Sequence, residues 1–108
     1  MDIFELDPNA TFVAPVALPR PGLTPVVVDF RFRHKDEEAF YAMLRDSKEK
    51  QEDSATFLAR FVDGWEGDKI NAAFSLDALA KLVRNYPLAA KAIFLAYQTE
   101  LVGAPAKN

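Results

Sequence analysis

The chain has 108 residues, no cysteine and a single histidine, which together remove disulfide scaffolds, thiol nucleophiles, thiolate–zinc sites and histidine-rich metal centres. Its 16 acidic and 13 basic side chains give a net charge of -3, so the basic stripe of a nucleic-acid binder is not expected. Hydrophobic residues make up 50% of it, a share that leaves a small domain with apolar surface for a protein partner.

"MDIFELDPNA" opens acidic and forms no basic-then-apolar leader, so no secretory signal is expected and the cytoplasm is the default compartment. No stretch has the apolar length that spans a bilayer, so no membrane partner is expected. "IFEL" (3–6) is a candidate short strand. "TFVAPVALP" (11–19) alternates imperfectly, and Pro15, which cannot donate to a ladder, places it at an edge or a bulge. "PVVVDFRFRHK" (25–35) alternates well: Val26, Val28, Phe30 and Phe32 share one face, and Val27, Asp29, Arg31 and Arg33 the other. "RPGLTP" between them predicts an antiparallel hairpin with a loop longer than the minimum.

After Lys35 the period changes from 2 to 3.6. "DEEAFYAMLRD" puts acids in a first turn, where the helix dipole favours them, and Phe40, Met43 and Leu44 in an apolar stripe. The polar run 46–53 reads either as a solvated continuation of that helix or as a loop. Ser54 is a cap for a second helix, with Phe57, Leu58, Phe61 and Val62 on one face, and "DGWEGD" ends it. Ser75 caps a third helix with Leu76, Leu79, Leu82 and Val83 on its face, and Phe74 is placed to staple onto Leu79. Pro87 opens a last helix that runs to Gly103, lined by Ala89 or Ala90, Ile93, Ala96 or Tyr97, and Leu101. "APAKN" is read as a frayed tail. The whole is one α+β domain over 1–108: an N-terminal antiparallel β-hairpin, with 3–6 as a third strand at most, packed on about four C-terminal helices.

Chemistry is scarce. His34 lies between Arg33 and Lys35 at a strand end and reads as solvent-exposed. Asp36, Glu37 and Glu38 suit a helix start better than acid–base work. "GWEG" lacks the Lys-Ser/Thr pair of a phosphate loop, and the acids of 46–53 are mixed with lysines and lack a calcium-loop glycine. Trp65, between Gly64 and Gly67, reads first as a packing plug where the chain reverses, both glycines being free for positive φ. A partner contact or a ligand platform are the lesser alternatives. No enzyme, metal or cofactor is expected.

Taken in order, "ATFVAPVALPRPG", "PVVVDFRFRHKDEEAF", "FLARFVDGWEG" and "AFSLDALAKLVRNYPLAAKAIFLAYQTELVGAPAKN" resemble one of the tail assembly chaperone families of long-tailed double-stranded DNA bacteriophages and their prophages. The resemblance spans nearly the whole chain. Its most distinctive parts are the turn Gly64, Trp65, Glu66, Gly67 and the closing stretch of Asn85, Tyr86, Pro87 and an Ala-rich helix carrying Ala89, Ala92 and Ala96. It implies a non-enzymatic protein of the host cytoplasm, made during tail morphogenesis and absent from the mature virion. The implied partners are the apolar tape measure protein, which it coats, and the major tail tube protein, which it helps recruit. Small residues on the last two helices suit docking of a partner helix, and homo-oligomerisation would use the same face. A connector or terminator retained in the virion is the alternative function, and a small DNA-binding regulator a third that the acidic balance disfavours.

Overall fold

The computed structural model describes residues 3–103. β1 (Thr11–Arg20) and β2 (Leu23–Arg33) pair antiparallel. The pleat buries Ala14, Val16 and Leu18 of β1 and Val28, Phe30 and Phe32 of β2, and turns Val13, Pro15, Ala17, Val27 and Asp29 outward. β1 is an edge strand, as Pro15 requires, and the register shifts between Leu18 and Arg20, around Pro19. The hairpin loop is shorter than expected. Arg20 faces Leu23, so only Pro21 and Gly22 turn the chain. Proline pre-sets the first central position of a tight turn and Gly22 takes the second at φ 70°, while the Arg20 guanidinium donates twice to the Thr24 carbonyl, at 2.9 and 2.7 Å.

Segment 3–6 is not a strand. It finds no partner, and Ile3, Phe4 and Leu6 stand in solvent. The third strand is β3 (Val62–Trp65), which joins the free side of β2 in the order β1-β2-β3. This corrects the expected second helix, whose apolar face includes Phe61 and Val62. α2 covers only Ser54–Ala59, because Gly64 is a poor helix residue and extended backbone here finds partners in β2: Val62 opposite Phe32, Gly64 opposite Arg31, Trp65 opposite Phe30. The cap is also one residue earlier than expected. Asp53, not Ser54, is extended, and its carboxylate accepts from the Thr56 N–H at 2.8 Å.

α1 (Glu37–Glu49) starts on Asp36, whose carboxylate accepts from the Ala39 N–H at 2.8 Å, and buries Phe40 and Met43. The polar run 46–53 is divided between helix and turn: α1 continues to Glu49, burying Ser47, and Gln51 reverses the chain at φ 51°. Glu52 then holds Arg60 through two bonds of 2.7 and 2.9 Å, clasping both sides of α2. That guanidinium holds the Glu52 carboxyl below its usual range.

α3 (Leu76–Asn85) begins at Ser75 as expected, its hydroxyl accepting from the Ala78 N–H. A Tyr86–Pro87–Leu88 turn, closed by the Ala89 N–H on the Tyr86 carbonyl at 2.9 Å, feeds α4 (Ala89–Val102), which stops at Gly103, φ 85°. The tail "APAKN" lies outside the described residues.

α4 lies along β1 and α2 touches both α3 and α4, so the helices cover the inner face of the sheet. Tyr97 is the centre of the core. Fully buried, it stacks on Phe61 at 4.3 Å and meets Phe32 at 5.2 Å and Phe12 at 5.9 Å. Its hydroxyl donates to the Arg33 carbonyl at 2.9 Å, and burial pushes its pKa up to about 12. Arg33 is a junction. Its N–H donates to the Phe61 carbonyl, and its guanidinium bonds the Ala59 carbonyl and the Asp63 carboxylate.

Candidate functional site

Trp65 closes β3, and its ring is half-buried. It meets Phe74 edge-on at 5.0 Å and Phe30 at 5.9 Å, and its indole N–H donates to the Ala72 carbonyl at 2.9 Å. The ring therefore ties the loop 66–75 to the sheet, which is the packing role expected of it. The two flanking glycines differ. Gly67 turns the chain at φ 79°, whereas Gly64 is extended in β3 without positive φ, and a methyl group there would meet only Phe74, at 4.0 Å. Between them the Glu66 N–H donates to the Asp29 carbonyl and the Glu66 carboxylate pairs with Arg31. The cations of "RFRHK" are thus partly spent inside the protein, Arg31 on Glu66 and Arg33 on Asp63. His34 is exposed, as expected.

The other side of Trp65 lines an open groove of about 530 Å³. Leu18, Val26 and Val28 are its floor on the sheet, Trp65 and Ile70 one wall, and Ala78, Leu82, Asn85 and Tyr86 of the α3 region the other. Every charged residue lining it is cationic: Arg20, Lys69 and Lys81. The groove joins Trp65 from one distinctive stretch to Asn85 and Tyr86 from the other. Gly64, Glu66, Gly67 and Pro87 do not line it.

Ala89, Ala92 and Ala96 lie elsewhere, on α4. Ala89 is buried, while Ala92 and Ala96 are half-buried at the edge of the core. Leu88 and Leu95, 61% and 46% exposed, flank them. At helical spacing, 88, 92, 95, 96 and 99 form one outward stripe of alternating large and small residues. Of the expected site residues, Trp65, Asn85 and Tyr86 thus line the groove and Ala92 and Ala96 lie on the α4 stripe, while Gly64, Glu66, Gly67, Pro87 and the buried Ala89 belong to neither. The groove leaves no local signal in the sequence, because its lining comes from positions 18 to 86. The stripe is half visible there, through its alanines and not its leucines.

Neither surface carries a nucleophile beside a base. Among the described residues no group of three His, Asp or Glu side chains could hold a metal, and no helix is long and apolar enough to cross a membrane.

A family model described as phage tail assembly chaperone matches residues 1–108. No curated protein and no solved structure matches the chain. The match takes in both hairpin strands, the Trp65 turn and all four helices, in agreement with the resemblance carried by the sequence. The chain belongs to the phage tail assembly chaperone family, and it is an assembly chaperone, not an enzyme.

Proposed function

We propose that this chaperone captures the tape measure protein through the outward stripe of α4. In this reading it acts as one domain over 1–108 in the host cytoplasm, aids assembly of the tail tube, and leaves before the virion is complete. The observation that carries it is the pair of exposed leucines, Leu88 and Leu95, set around the half-buried Ala92 and Ala96. Small residues let a second helix approach closely, and the leucines give it apolar area to cover. The hairpin edge is the poorer surface, because Pro15 and Pro19 remove donors that an added strand would need.

Co-expression with tape measure fragments tests this. Leu95→Arg is the cleaner probe and Ala92→Arg or Ala96→Arg the second, since those side chains are partly in the core. Leu95→Arg is expected to abolish capture at unchanged melting temperature, and Val13→Arg on the outer hairpin face to leave capture intact. The opposite pattern assigns the partner to the hairpin. An abundant copy in purified virions, read by mass spectrometry, makes the chain a retained tail component instead.

A further inference from the structure

We propose that the outward stripe of α4 is one half of a coiled-coil seam, and that it receives a helix with a heptad apolar repeat flanked by carboxylates. This rests on the α4 reading of capture and specifies the kind of segment captured. The stripe runs further than its alanines suggest. Leu88, whose backbone is already helical, Ala92, Leu95, Thr99 and Val102 follow one another at steps of 4, 3, 4 and 3 residues. That alternation keeps one line of side chains facing a partner helix. Leu88, Leu95 and Val102 are 61%, 46% and 73% exposed, and Thr99 is exposed as well. At 3.6 residues per turn the line lies opposite Ala89, Ile93 and Tyr97, the residues by which α4 enters the core. The seam thus stands outward along the whole helix.

Spacing decides the conformation of the occupant. Projecting side chains every third or fourth residue are matched by another helix with the same repeat, which sets its own apolar residues over the low positions Ala92 and Thr99. An extended segment, with a period of 2, meets the line only at isolated points.

Charge decides which helix. α4 carries two charged residues, Lys91 and Glu100. Lys91 is exposed and flanks the seam, whereas Glu100 stands on the β1 side beside Pro8 and Asn9. A second copy of this chain would bring the same lysine and no carboxylate on its own seam, so pairing α4 on α4 leaves both cations unmatched. A foreign helix with Glu or Asp beside its repeat satisfies Lys91. The seam is two heptads long, about 21 Å, short of the three to four heptads or more that mark a sustained coiled coil, so a single contact is readily reversed.

The test uses the full chain and a synthetic three-heptad peptide with leucine at a and d and glutamate at e and g, whose like charges oppose its pairing with itself. Calorimetry should show saturable one-to-one binding, and circular dichroism a gain of peptide helicity. Leu95→Arg should abolish both at unchanged melting temperature. Replacing the glutamates of the peptide by lysines should weaken binding roughly fivefold, and Lys91→Glu should reverse the order of the two peptides. Equal binding of a peptide of the same composition whose leucines strictly alternate with polar residues, or an order of the two charged peptides that Lys91→Glu leaves unchanged, overturns the proposal. Tape measure fragments captured through Leu95 whatever their spacing and charge overturn it as well, while the α4 reading of capture stands. A heptad peptide that binds the seam when tape measure fragments do not supports the proposal and removes that reading.

Discussion

The two ends of the sheet are finished differently. Around Tyr97 the sheet contributes Phe12 and Phe32, the helices close over it, and the rings pack at 4.3 to 5.9 Å around a fully buried side chain. Around Trp65 the sheet contributes Val26, Val28 and Leu18, the cover is a loop and one helix, and a groove of about 530 Å³ remains. β2 spans both, with Phe32 at the closed end, Phe30 between the two and against Trp65, and valines at the open one. Stability is concentrated where the rings are, and the open end keeps surface free for contact. An open groove is tolerable only on a frame already held elsewhere.

This contrast is open to measurement. Tyr97→Ala should cost about 3–5 kcal/mol in urea unfolding, the range for a fully buried aromatic removed from a packed core, and a loss below about 2 would erase the distinction. Trp65→Ala should cost about 2 kcal/mol, because the ring is only half-buried and its chief bond is to one loop carbonyl. Tyr97→Phe isolates the hydroxyl and should cost about 1 kcal/mol at neutral pH. Its pH dependence has a definite sign. The folded phenol titrates near 12 and the unfolded one near 10, so the folded state binds the proton more tightly. That stability is complete below about pH 10 and lost as pH rises toward 12, and the gap between wild type and Tyr97→Phe should shrink over that window. The smallest effects lie at the glycines: Gly67→Ala should cost about 1 kcal/mol for its positive φ, and Gly64→Ala within about 0.5 of zero. Equal losses at the two would mean that Gly64 is under a constraint its geometry does not display.

Much of the fold is legible in the sequence because its signals are local. The alternation of β2, the Ser75 cap and the stop at Gly103 each depend on a few adjacent residues. The second helix reads too long because Phe57, Leu58, Phe61 and Val62 have helical spacing, and what overrides it is the free side of β2, more than twenty residues away. Asp53 and Ser54 are both good caps, and sequence does not rank adjacent ones. "IFEL" is apolar enough for a strand but has no strand beside it. The small residues of α4 are visible as composition, while the groove exists only after β1, β3 and α3 have been brought together.

Several long-range contacts of this kind meet at Arg33. Through its backbone and guanidinium this one residue is bonded to the end of α2, the start of β3 and, by the Tyr97 hydroxyl, to α4. None of these elements can come away without breaking bonds at the same node. The hairpin root, α2, β3 and α4 therefore behave as one cooperative unit of opening, and partial unfolding is confined to what lies beyond that node: the segment before β1, the hairpin tip and the loop under Trp65. Those parts can loosen while the hairpin root and α4, with its outward stripe, stay folded.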